Sequence, residues 1–74
     1  MTLAEEIQSR VSKAIPDSEV TVQDMTGGGD HFEVIVISPI FRGKILIEQH
    51  QMVHAALEKL KDRIHAVKIK TLAL

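Results

Sequence analysis

Apolar positions change spacing several times along the chain, and each change marks a new element. Leu3, Ile7, Val11 and Ile15 recur near the helical period. Thr2 and Glu5 match a capping box, in which each side chain satisfies the other residue's free backbone N–H. Pro16 disfavours helix at Ile15. A first helix is therefore predicted over residues 3–14, with Glu5, Glu6, Arg10 and Lys13 on its wet side. From Glu19 to Met25 the pattern alternates, Val20 and Val22 against Thr21 and Gln23, which predicts a half-buried strand. Thr26 to Asp30 reads Thr-Gly-Gly-Gly-Asp, predicting a mobile loop. Phe32 to Ile37 is nearly all apolar and β-branched, the pattern of a central strand buried on both faces. The two strands should pair as an antiparallel hairpin.

Ser38-Pro39 breaks the second strand, and a short helical turn is predicted over residues 40–42 before Gly43. The main helix is predicted over residues 45–61, with Leu46, Val53, Leu57 and Leu60 as its apolar stripe, extended toward Ile64. His50 falls on or beside that stripe and His54 on its flank. Residues 65–71 alternate again. Val67 and Ile69 point inward, Lys68 and Lys70 outward, and His65 by the same parity begins the strand on the inward side, at the sheet's rim. A strand–helix–strand crossover is right-handed, so the third strand should run parallel to the second. The predicted fold is α+β, in the order αββαβ, with a three-stranded mixed sheet and both helices on one face. Residues 1–74 form a single domain.

Composition narrows the function. The only aromatic residues are two Phe, so the core must be mostly aliphatic. No cysteine is present, which removes disulfides, thiol nucleophiles and thiolate ligands. The net charge of −1 lacks the strong basic excess of many nucleic-acid binders. Early acidic residues with no basic region before an apolar run argue against a signal peptide. No apolar run approaches the roughly 20 residues of a membrane helix. The expectation is a soluble monomer of the cytoplasm, or of an organelle matrix if a targeting segment was removed.

Candidate chemistry is sparse. The glycine run joins two strands, whereas a phosphate cradle leads from a strand into a helix and carries a Lys. It reads as a hairpin loop, or as a flexible arm carrying His31. His50 and His54 stand at i and i+4, a metal-compatible spacing, but Gln51 occupies the place of the zinc-protease general base and no third ligand is evident. Ser9, Ser12, Ser18 and Ser38 sit in no activating setting, and no acid–base pair converges. An enzyme is not expected.

Taken in order, Asp30-His31-Phe32, Val34 to Ser38, Phe41-x-Gly43-Lys44, His50-x-x-Val53, Ala56-Leu57, Ile64-His65-Ala66 and Lys70-Thr71 resemble the BolA family across most of the chain. The resemblance implies the αββαβ fold, similar to a class II KH domain, with a short extra helical turn. It implies a monothiol glutaredoxin as partner, with glutathione, and a [2Fe–2S] cluster shared between the two proteins in iron–sulfur trafficking or iron sensing. By the same resemblance His65 and His31 are the cluster ligands. Two imidazoles can replace two thiolates on one iron, as in Rieske centres. A complex with the apo partner through the same surface is a second form of this reading.

This chain departs from the family pattern at Gln49, where Arg is usual before the helix histidine, and in lacking the Pro that commonly follows the last strand. The family is also described as transcriptional regulators, so nucleic-acid binding is the alternative. Lys44, His50, Lys68 and Lys70 are the candidate partner or nucleic-acid surface, and Lys59, Lys61 and Arg63 extend a basic patch. Gly43 has no second glycine to complete the Gly-x-x-Gly of KH domains.

Overall fold

Helix α1 spans Leu3–Ala14 and begins with the expected capping box: the Glu5 amide donates to Thr2 Oγ1 at 3.2 Å and the Thr2 amide donates to Glu5 Oε1 at 2.9 Å. The structure, a computed structural model, describes residues 2–29 and 31–74. Asp30, which the sequence places at the end of the glycine loop and in the family-like string, lies outside the described residues. Ile7 and Val11 turn the buried face of α1 onto the sheet, and Ile15 caps the helix C-terminus in extended backbone, as Pro16 requires.

Strands β1 (Glu19–Asp24) and β2 (His31–Ser38) pair antiparallel, and β3 (Ala66–Ala73) pairs parallel to β2, giving the order β1-β2-β3. Fold class, element order and strand direction are those read from the periodicity. Val20, Phe32, Val34 and Val36 project to one face, where Phe41, Val53, Leu57 and Leu60 complete the core with α1. Val67 and Ile69 pack against it at the β3 side. Among the described residues no helix covers the other face. Ile35 and Ile37 are only half-buried there, so β2 is not closed on both faces as its continuous apolar run predicted. A single apolar run cannot say which of two faces receives a second layer.

A 3₁₀ turn over Pro39–Phe41 drives Phe41 into the core. Ser38 anchors it: its hydroxyl donates to the Pro16 carbonyl at 2.8 Å and accepts the Ile40 amide at 3.2 Å. Gly43 then turns the chain at φ 75°, a left-handed conformation that suits a residue without Cβ.

The main helix is shorter than expected. Helix α2 covers Leu46–Ala56 and gives way, after Leu57, to a 3₁₀ helix over Glu58–Arg63. The 3₁₀ period of three stacks Leu57, Leu60 and Arg63 on one side. Leu57 and Leu60 are buried, and Arg63 meets Glu6 of α1. Leu57 and Leu60, three apart, fit either period, which is why the sequence reads as one continuous helix from Val53. Leu46 is also corrected: it is exposed rather than part of the buried stripe. No helix among the described residues is long and apolar enough to cross a membrane.

Candidate functional site at the start of the parallel strands

Parallel strands that begin in register bring their first residues to one end of the sheet. His31 opens β2 and pairs with Ala66, the first residue of β3, while His65 immediately precedes that strand. The two imidazoles stack, with ring centroids 5.0 Å apart and planes 11° from parallel. The separation lies within the usual range for stacked rings. His31 is half-buried and His65 exposed. Two expectations change here. His65 stands at the sheet's rim as expected, but it precedes the strand by one residue and is exposed instead of facing inward. His31 is the first residue of a strand, not a passenger on a flexible arm, so the pairing of β2 with β3 creates the contact.

The glycine loop is organised by Asp24. Its Oδ1 accepts the amides of Thr26 at 3.2 Å and Gly27 at 2.9 Å, and its Oδ2 accepts that of Gly29 at 2.8 Å. The Met25 amide closes the hairpin on the His31 carbonyl at 2.8 Å. Positive φ at Gly27 and Gly29 lets the backbone fold around one carboxylate. An Asp at a strand end before glycines is the signal for such a turn. Asp24 thus gives the glycine loop hydrogen-bonded backbone at Thr26, Gly27 and Gly29.

On the other side, Arg63 holds the segment leading into His65. Its guanidinium donates to both Glu6 carboxylate oxygens, at 3.1 and 2.6 Å. This fork holds the Glu6 carboxyl below the usual carboxylate range, chiefly through the hydrogen bond from Arg63. A carboxyl depressed by folding stabilises fully above its unfolded value and loses that contribution as pH falls through the folded one. Below about pH 4.5 the wild type should thus lose Tm more steeply than Glu6→Gln; melting both between pH 6 and 3 checks this.

A cavity of about 220 Å³ flanks His65, lined by His54, Leu57, Glu58, Lys61, Ile64 and Val67. His54 is exposed on this flank, as its spacing predicted. His50 is half-buried one turn earlier on α2 and lines a different cavity. Among the described residues no group of three or more His, Asp or Glu is arranged to hold a metal ion.

The proposed cationic surface divides. Lys61 pairs with Glu58 at 2.8 Å and Arg63 with Glu6. Lys68 and Lys70 stand 3.9 and 3.7 Å from Glu33, whose carboxylate is nearly buried on the open face. Lys44 is exposed beside Gly43. Gln49, at the place where an Arg is usual, acts structurally. Its amide donates to the Lys44 carbonyl at 2.8 Å and the Phe41 carbonyl at 3.4 Å, and its Oε1 accepts the Thr71 hydroxyl at 2.5 Å. It ties the Gly43 turn and α2 to β3.

A protein-family model described as BolA-like protein matches residues 3–74. The chain is 41% identical over 71 residues to Protein BOLA2 of Arabidopsis thaliana, covering 95% of this chain and 76% of that one. It is 42% identical over 67 residues to the acid stress protein IbaG of Escherichia coli K12, covering 88% of this chain and 76% of that one. A crystal structure of a Bol-like protein from Babesia bovis matches with a TM-score of 0.84 at 27% identity, covering 99% of this chain and 86% of that one.

Proposed function

The chain belongs to the BolA-like protein family, and from that premise we propose that it is a non-enzymatic adaptor that binds a monothiol glutaredoxin and shares a [2Fe–2S] cluster with it. The observation that carries this reading is the stacked pair of His31 and His65 at one end of the sheet. The donor set fits a shared cluster. The chain has no cysteine, so the pair offers imidazole nitrogen and any thiolate must come from elsewhere. His65 and His31 would hold one iron, and the glutaredoxin cysteine and glutathione would supply the remaining ligands. Bound this way, the cluster would carry iron with imidazole in place of two thiolates, which raises its potential relative to an all-thiolate site.

The chain's own parts have separate tasks. Register between β2 and β3 sets the spacing of the two rings. The Glu6–Arg63 fork fixes the path into His65, and Asp24 keeps the hairpin loop folded back beside His31. The cavity beside His65 leaves that imidazole approachable by a partner. Nucleic-acid binding has less support, because Lys61, Arg63, Lys68 and Lys70 already stand beside carboxylates and carry a weakened field.

Adding this protein to a glutathione-loaded [2Fe–2S] monothiol glutaredoxin should produce a new visible circular dichroism spectrum that saturates with added protein. An unchanged spectrum at saturating protein would remove the shared cluster and leave binding of the apo partner or of nucleic acid.

A further inference from the structure

The far end of β3 carries a second surface that the histidine pair does not use. β3 is an edge strand of eight residues: one side pairs with β2 and, among the described residues, no strand pairs with the other. A cavity of about 440 Å³ lies against this edge. Leu46 and His50 of α2, Ile35 of β2 and the run from Ile69 to Leu72 line it. Ile69 belongs to the core side of the strand, whereas Lys70 and Leu72 belong to the open face. The cavity therefore follows the strand's edge instead of lying on one face. Leu72 is seven residues beyond His65, roughly 20 Å at strand rise.

The surface is apolar beyond what folding needs. Ile45, Leu46 and Ile47 are 64%, 60% and 61% exposed, and Leu72 is 57% exposed. Leu46 and Leu72 line the cavity, and exposed apolar side chains beside an open strand edge are a typical place for another chain to dock. The charge beside it is positive. Lys68 and Lys70 flank the single carboxylate of Glu33, so one negative group serves two ammonium groups and a positive excess remains.

We propose that the β3 edge receives an extended segment of a partner protein in which apolar residues alternate with aspartate or glutamate. The segment adds as a fourth strand. Its backbone pairs with the open N–H and C=O groups of β3, its apolar side chains fill the cavity against Leu46 and Ile69, and its carboxylates meet Lys68 and Lys70. A second copy of this chain fits poorly. Two β3 edges paired antiparallel about Ile69 set Lys68 of one against Lys70 of the other, and like charges directly opposite are destabilising. A lipid surface would leave the strand's hydrogen-bonding edge unpaired.

The probe is a short synthetic peptide alternating glutamate with valine and isoleucine, titrated into ¹⁵N-labelled protein, with a lysine-for-glutamate peptide as comparison. Amide shifts should concentrate on Leu46 and on residues 69–72. Binding should weaken about tenfold or more in Lys70→Glu, in Leu46→Asp and with the lysine peptide. Leu46 is exposed, so Leu46→Asp should keep the wild-type spectrum elsewhere; Lys70→Gln, which sets no second carboxylate beside Glu33, is the charge variant expected to do the same while still weakening binding. His65→Ala should bind the peptide as the wild type does, which separates this surface from the cluster. No shifts at residues 69–72 with millimolar peptide, or equal binding of the two peptides, would overturn the proposal. So would self-association through this edge, or perturbation of these residues by phosphatidylglycerol vesicles but not by the peptide.

Discussion

Replacing Phe41 by Ala should remove most of the protein's stability and leave it at the edge of unfolding at room temperature. The side chain is fully buried at the junction of the sheet, the Pro39 turn and α2. Removing a buried aromatic ring costs about 3–5 kcal/mol, from lost transfer energy and from the cavity left behind. A domain of this length holds on the order of 5 kcal/mol in total. Relaxation into the gap is limited, because the Phe41 backbone is fixed on both sides: its carbonyl accepts the Lys44 amide at 3.1 Å and the Gln49 amide at 3.4 Å. Urea unfolding followed by far-ultraviolet circular dichroism reads the effect directly. A midpoint within a few tenths molar of wild type would mean that the core does not depend on this ring.

The second large effect belongs to His65. On the shared-cluster reading, His65→Ala should lower the affinity of the mixed cluster complex about a hundredfold, since even outer partners of metal ligands cost 10–100-fold. His31→Ala should cost less. His65 is the exposed ring of the pair and stands beside the open cavity, whereas His31 is half-buried at the strand's start. Neither substitution should lower Tm appreciably, because neither ring belongs to the buried core. Competition for the cluster, measured against the glutaredoxin homodimer, ranks the variants. Equal competition by wild type and both variants would remove the histidines from the ligand set.

Much of the fold is legible in the sequence alone. The capping box at Thr2 and Glu5, the stop at Pro16 and the alternation around Val20 and Val67 are local patterns with local causes. Other features require the third dimension. The stacking of His31 on His65 follows from strand register, since residues 34 positions apart meet only when β2 and β3 start together. The break at Leu57 is hidden because the spacing of three between Leu57 and Leu60 satisfies both helical periods. Ile45, Leu46 and Ile47 are consecutive and apolar, so no polar neighbour sets their phase, and all three are exposed. The glycine run signals freedom, but not the hydrogen bonds that the single carboxylate of Asp24 accepts from the loop. Arg63 reads as part of a basic patch, although its spacing of three from Leu60 points to its contact with α1.

The central claim is that an imidazole of this chain ligates the shared iron. Pulsed electron paramagnetic resonance on the reduced mixed complex, with ¹⁵N-histidine introduced only in this chain, tests it most directly. The account predicts nitrogen hyperfine couplings of coordinated imidazole that change with the isotope, and the loss of one of the two histidine contributions in His65→Ala. A spectrum indifferent to the label would contradict it.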